Sequence, residues 1–120
     1  MAKKILIAED DMSLSKALKL KLVSLGFEAD VVKDGEEALS LIKKQHYDLM
    51  LLDLMMPQLD GFGVLAALKG VKNRPVIFVN SNLSQATDRE KAMKLGADQY
   101  LIKSDISLKE IVEKITKALA

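Results

Sequence analysis

Asp48-Leu49-Met50-Leu51-Leu52-Asp53-Leu54-Met55-Met56-Pro57 is the stretch on which the reading of the fold turns. Four apolar residues, Leu49 to Leu52, run without a polar interruption into Asp53, and Pro57 with Asp60-Gly61 marks a loop and the start of a new element. A short apolar run bounded by turn signals is the pattern of a strand covered on both faces, as in parallel sheets. Ligands of such sheets gather at the carboxyl ends of the strands. Asp53 holds that position and is the first candidate for chemistry.

Working outward, the same pattern recurs. Ile5-Leu6-Ile7-Ala8 runs into Glu9-Asp10-Asp11, Pro75 to Val79 into Asn80-Ser81-Asn82, and Tyr100-Leu101-Ile102 into Lys103, while Ala29 to Val32 reads as a weaker strand and Tyr47 as the start of the central one. Helical spacing fills the intervals. Ser13 is placed to cap a helix carrying Leu14, Ala17, Leu18 and Leu22, closed by Gly26. Asp34 and Glu37 form a cap with its N3 partner ahead of Ala38, Leu39 and Ile42. Phe62, Leu65 and Leu68 precede a stop at Gly70, and a fourth helix runs from about Gln85 to Leu95 before Gly96. Ser107 with Glu110 repeats the capping box before Leu108, Ile111, Val112, Ile115 and Leu119. Five strands alternate with five helices. The prediction is an α/β, doubly wound (βα)5 three-layer sandwich on a parallel five-stranded sheet, one domain over residues 1–120 with no output domain.

Composition narrows the function classes. The 120 residues are 49% apolar, enough for a packed core, and 18 Lys+Arg against 17 Asp+Glu give a net charge of +1. That balance carries no signal for nucleic acid or a membrane surface. With no cysteine, disulfides and thiolate metal sites are excluded. The first apolar run is broken at Glu9 after four residues, too short for a signal-peptide core or a membrane span, so the expectation is a cytoplasmic protein. His46, the single histidine, has no partner for a metal site and is expected on the surface.

In a parallel sheet the strand ends lie along one edge, which brings together Glu9, Asp10, Asp53, Ser81 and Lys103. Clustered carboxylates repel one another unless a positive charge sits among them. A hard cation such as Mg2+ suits them, because it takes oxygen ligands and keeps positions for water and phosphate. Lys103 offers a second positive charge to a phosphoryl oxygen and Ser81 a hydrogen bond to another. These groups point to phosphoryl transfer onto a carboxylate, driven mostly by charge stabilisation. Neither a Gly-rich phosphate loop nor a GxGxxG is present to support a nucleotide site.

Taken together, Ile5 to Asp10, Asp53 to Pro57 with Asp60-Gly61, Ser81, Gly96-Ala97-Asp98-Gln99-Tyr100 and Lys103 resemble the receiver domain of two-component response regulators. The resemblance spans the whole chain. It implies a flavodoxin-like sheet of strand order 2-1-3-4-5. It also implies that Asp53 takes a phosphoryl group from a histidine kinase or phosphotransfer protein. Mg2+ would be held by Asp10, Asp53 and the main-chain carbonyl of Met55, with Glu9 reaching it through water. Lys103 would pair with the phosphoryl group, Ser81 would turn toward it, and Tyr100 would be the aromatic switch. The implied output is binding of a downstream target, with no direct nucleic-acid contact, through residues 85–119, including a phosphorylation-dependent homodimer. Enzymatic activity would be limited to Mg2+-dependent autophosphorylation from small donors and slow autodephosphorylation.

The chain also departs from that family's pattern. Asn82 replaces the usual small residue after the switch hydroxyl. Ser104 replaces a proline that is usually in cis, so a trans Lys103–Ser104 bond and a reshaped loop through Asp105 are expected. Pro75 lies one residue further than usual from Ser81, which leaves Asn80 as an alternative switch residue, although counting back from Gly96 and Lys103 favours Ser81. Among the first three acids, Glu9 and Asp10 fit the metal pair, and Asp11 fits a helix cap. Two other functions are open: a receiver-like interaction module that is never phosphorylated, and a small-molecule phosphohydrolase, for which Met55 stands where a general acid is expected.

Overall fold

A computed structural model describes residues 2–120. In chain order the elements are β1 (Lys4–Ala8), α1 (Met12–Ser24), β2 (Glu28–Val32), α2 (Gly35–Lys44), β3 (Leu49–Leu52), α3 (Gly61–Leu68), β4 (Val76–Ser81), α4 (Ala86–Lys94), β5 (Gln99–Ile102) and α5 (Leu108–Ala118), with a 3-10 turn over Lys103–Asp105. All strand pairs are parallel and the order is β2-β1-β3-β4-β5, as expected. Side chains of a strand alternate between faces, and the two faces build separate cores. Leu6, Ala8, Met50, Leu52, Ile77 and Val79 pack with residues of α2, α3 and α4. Ile5, Ile7, Leu49, Leu51, Phe78 and Leu101 pack with α1 and α5. The run Leu49–Leu52 is buried throughout because it supplies both cores.

Local chemistry differs from the sequence reading at several points. Asp11, not Ser13, caps α1: its carboxylate accepts from the amides of Ser13 and Leu14. A carboxylate two residues earlier reaches the first-turn amides while complementing the helix dipole, which the Ser13 hydroxyl cannot do from inside the helix. Ala17 is exposed and Ser15 is buried in its place, its hydroxyl satisfied by the Met12 carbonyl at 3.2 Å. Asp34 caps α2 through the Glu37 amide, but Glu37 reaches back to the amide of Lys33 rather than closing a box on Asp34. The box at Ser107 and Glu110 is complete. Tyr47 precedes β3 instead of starting it; its ring is buried and its hydroxyl donates to Asp30 at 2.6 Å. β4 runs past Val79 through Asn80 to Ser81.

The lower edge of the sheet is closed by two acids whose role the sequence did not announce. Asp48 accepts from the Lys4 amide at 2.7 Å while its own amide donates to the Lys4 carbonyl. Asp98 does the same for β4, accepting from the Ile77 amide at 2.8 Å and donating to its carbonyl. Each fixes the start of one strand against its neighbour, so the register at the opposite edge is set. No helix among the described residues is long and apolar enough to cross a membrane.

Candidate active site

The carboxyl ends of β1 and β3 finish in register, Ala8 beside Leu52, and the next residue on each strand is an acid. The ladder still holds both: the Glu9 amide donates to Val32 and the Asp53 amide to Ala8, each at 3.0 Å. Their main chains are therefore fixed, and only the side chains are free to adjust. Asp53 is buried at 4% exposure and Glu9 at 3%, whereas Asp10 is exposed.

Lys103 crosses from the end of β5 to reach both buried acids. Its Nζ lies 2.6 Å from Glu9 Oε1 and 2.9 Å from Asp53 Oδ2. The remaining Asp53 oxygen accepts from the Met55 amide at 3.1 Å, and Glu9 Oε2 accepts from the Asp11 amide at the same distance. Burial, followed by the charge of Asp53, pushes Glu9 up to about 7 against the opposing hydrogen bonds from Lys103 and Asp11. Both Glu9 oxygens accept hydrogen bonds, Oε1 from the Lys103 ammonium and Oε2 from the Asp11 amide. Burial works against the Lys103 ammonium, but its bonds to Glu9 and Asp53 prevail and hold its pKa above the ordinary lysine value.

One carboxylate oxygen from each of Glu9, Asp10 and Asp53 lies within 4.8 Å of the others. Two direct ligands of an octahedral Mg2+ at about 2.1 Å are at most about 4.2 Å apart, so oxygens within 4.8 Å suit one ion when a side chain adjusts slightly or one acid reaches it through water. Three carboxylates against one ammonium also leave negative charge for a divalent cation to balance. The donor set fits Mg2+.

Ser81 and Tyr100 lie on the other face of the sheet edge, with Val79. Ser81 is fully buried and its Oγ accepts from the Leu83 amide at 3.3 Å. The Tyr100 hydroxyl donates to the Leu83 carbonyl at 2.7 Å. One residue thus bonds to both, through its two main-chain groups. Sequence reading did not single out Leu83, because a backbone link leaves no side-chain signature. Asn82 is exposed, and no cis peptide occurs among the described residues, so Lys103–Ser104 is trans and enters the 3-10 turn. His46 is exposed at the opposite edge, 3.2 Å from Asp48.

The receiver domain of response regulators matches residues 5–116. The chain is 40% identical over 97% of its length to a probable transcriptional regulator, ycf27, of Porphyridium aerugineum, covering 48% of that protein. It is 36% identical over 97% of its length to the transcriptional regulatory protein PcoR of Escherichia coli, covering 51%. The chain therefore spans about half the length of the curated relatives it matches. Among solved structures, the receiver domain of Francisella response regulator 1452 superimposes with a TM-score of 0.87 at 32% identity, over 96% of this chain and 94% of that one. Fold, acidic cluster and nearby lysine are together consistent with a phosphoacceptor site.

Proposed function

Because this chain belongs to the response regulator receiver domain family, we propose that it is a phosphorelay switch in which Asp53 accepts a phosphoryl group. One observation carries the reading: the Asp53 carboxylate is buried beside a cluster of two further acids, with its Oδ2 on the Lys103 ammonium. A lone buried carboxylate would protonate. Asp53 instead accepts from the Lys103 ammonium on one oxygen and the Met55 amide on the other, which directs the carboxylate as a nucleophile needs. An Asp53 oxygen forms the new O–P bond while the bond from phosphorus to the donor breaks. The donor's electron pair leaves on a histidine nitrogen of a kinase or phosphotransfer protein, or on the acetate of acetyl phosphate. Lys103 stays within reach of the developing charge on the phosphoryl oxygens, in a site where solvent screening is weak.

Glu9, Asp10 and Asp53, with the main-chain carbonyl of Met55, are the groups that would hold Mg2+. When bound, Mg2+ neutralises charge on the transferring phosphoryl group. Ser81 is the switch hydroxyl in this reading. Turning toward phosphate would release the Leu83 amide, and the Leu83 carbonyl would carry that change to Tyr100. The equilibrium between the two arrangements shifts by the difference in their affinity for phosphate. Residues 85–119 are the surface read by a downstream target or by a second copy in a phosphorylation-dependent dimer, and the setting is the cytoplasm.

The test is direct. With Mg2+ and acetyl phosphate or phosphoramidate, the intact protein should gain the mass of one phosphoryl group, and Asp53→Asn should gain none. No gain in the unaltered protein would overturn the proposal and favour an interaction module that is never phosphorylated. Sustained turnover of varied phosphate esters would instead favour a phosphohydrolase. Met55, whose side chain is exposed and has no proton to give, speaks against that.

A further inference from the structure

Asn80 lies in β4 beside the site, and neither hydrogen-bonding atom of its side chain has a partner. The residue is 2% exposed. A buried amide with no bond gives up solvation without return, and such groups in native proteins call for an explanation. Position supplies one. Val79 pairs with Leu52 in the sheet, so Asn80 and Asp53 are the next residues along adjacent strands, about 4.8 Å apart in the pairing direction. Phe78, two residues before Asn80, packs on the α1–α5 face, so Asn80 points to that face too. On β5, Asn80 pairs with Leu101, which also packs there, and Lys103 follows two residues later.

Strand β4 separates β3 from β5. The Lys103 side chain must therefore pass over the end of β4 to reach Asp53 and Glu9, and Asn80 is the polar side chain that β4 presents on that face. Lys103 has three N–H donors, of which two are taken by Glu9 and Asp53. Asn80 Oδ1 is an acceptor without a donor, and Nδ2 is a donor without an acceptor.

We infer that Asn80 is a positioning residue of the phosphoryl site, engaged when the site is loaded. Its Oδ1 accepts an N–H of Lys103 as Glu9 turns from the ammonium toward the cation cluster, and its Nδ2 donates toward the group carried by Asp53. Its bonds form with the phosphoryl group in place, so an amide that the protein alone leaves unmet is a bias toward loading. This rests on the phosphoacceptor reading of Asp53.

The test uses Mg2+ with beryllofluoride, a phosphoryl mimic, on the whole chain. In the unaltered protein, one Asn80 side-chain amide proton should shift and exchange more slowly with water when both are added. Asn80→Val should leave the ligand-free protein at least as heat-stable, since it removes an unpaired buried amide. It should also weaken beryllofluoride binding roughly fivefold to tenfold, the scale of one hydrogen bond. A merely structural Asn80 would, when replaced, lower the melting temperature and leave that affinity alone, which would overturn the inference while the phosphoacceptor reading stood. An unchanged Asn80 amide signal beside a Leu83 amide that does shift would overturn it equally, even if Asn80→Val failed to fold. Absence of any response in the unaltered protein, with no mass gain from acetyl phosphate, would sink both readings.

Discussion

The ammonium of Lys103 lies closer to Glu9, at 2.6 Å, than to Asp53, at 2.9 Å. The lysine thus serves as counter-ion to two buried acids. Lys103→Met removes the charge, keeps the stem and leaves Glu9 and Asp53 facing each other. Breaking a buried pair costs about 3–5 kcal/mol, and the partial exposure of Lys103 (18% of its side chain) reduces that to about 1–3 kcal/mol. Urea melts without Mg2+ should show that loss. Titration of the variant with Mg2+ should recover more stability than in the unaltered protein, at a lower half-saturating concentration, because an uncompensated acidic cluster binds a cation more tightly. Equal Mg2+ affinity in the two proteins would mean that Lys103 does not balance the cluster.

At the opposite edge, Asp48 gives a pH prediction of definite sign. The hydrogen bond from the Lys4 amide outweighs burial and, with His46, holds the Asp48 carboxyl below its ordinary value of 3.8. A depressed carboxylate contributes stability that is fully present above the unfolded-state pKa and lost as pH falls through the folded one. Asp48→Asn should therefore cost about 1 kcal/mol at neutral pH. The gap should begin to narrow as melts are taken below about pH 4 and shrink further toward lower pH. A gap that persisted unchanged to pH 2 would assign the effect to shape rather than charge.

What the sequence disclosed follows from which forces leave a pattern in it. Apolar runs ended by Glu9, Asp53 and Lys103 revealed the sheet and its functional edge, because burial on two faces demands continuous hydrophobicity. Asp48 and Asp98 gave no such signal, since an acid ahead of a strand looks like any loop acid until its amide partner is known. Asp11 and Ser13 were both plausible caps, and only the helix start separates them. Ala17 and Ser15 exchanged places because a small serine that bonds its own helix carbonyl is as easily buried as alanine. Asn80 was legible as a polar residue after a strand and as an alternative switch residue, but not as a buried amide within β4.

Gly61 shows the same limit and yields a third prediction. Beside Asp60 it reads as a turn marker, yet its φ is not in the left-handed region, so conformational freedom does not explain it. A Cβ there would stand 2.5 Å from the Asp53 carbonyl oxygen and 2.7 Å from Leu54 Cα, backbone atoms that cannot turn aside. Gly61→Ala should destabilise the fold by about 1–3 kcal/mol, the usual range for overpacking, and displace the loop after Asp53. Gly26, in the left-handed region at φ +96°, meets nothing within 4 Å. Gly26→Ala should cost only the backbone term of about 1–2 kcal/mol and leave phosphoryl incorporation unchanged. Comparing acetyl phosphate incorporation in the two variants separates stability from site geometry.

The Leu83 backbone permits a test of switching that does not depend on a partner. Its amide bonds Ser81 and its carbonyl bonds Tyr100, so any turn of the Ser81 hydroxyl must be felt at both ends of one residue. Tyr100→Phe removes a single hydroxyl contact and should cost about 1 kcal/mol in the unphosphorylated protein, without preventing incorporation at Asp53. In the unaltered protein, Mg2+ with beryllofluoride should shift the Leu83 amide resonance and the Tyr100 ring signals together. In Ser81→Ala the ligand should still bind, but the Tyr100 signals should stay in place, because the bond that links them to the site is gone. If they moved as before, the signal would have to pass through β5 from Lys103, and Ser81 would not be the residue that carries it.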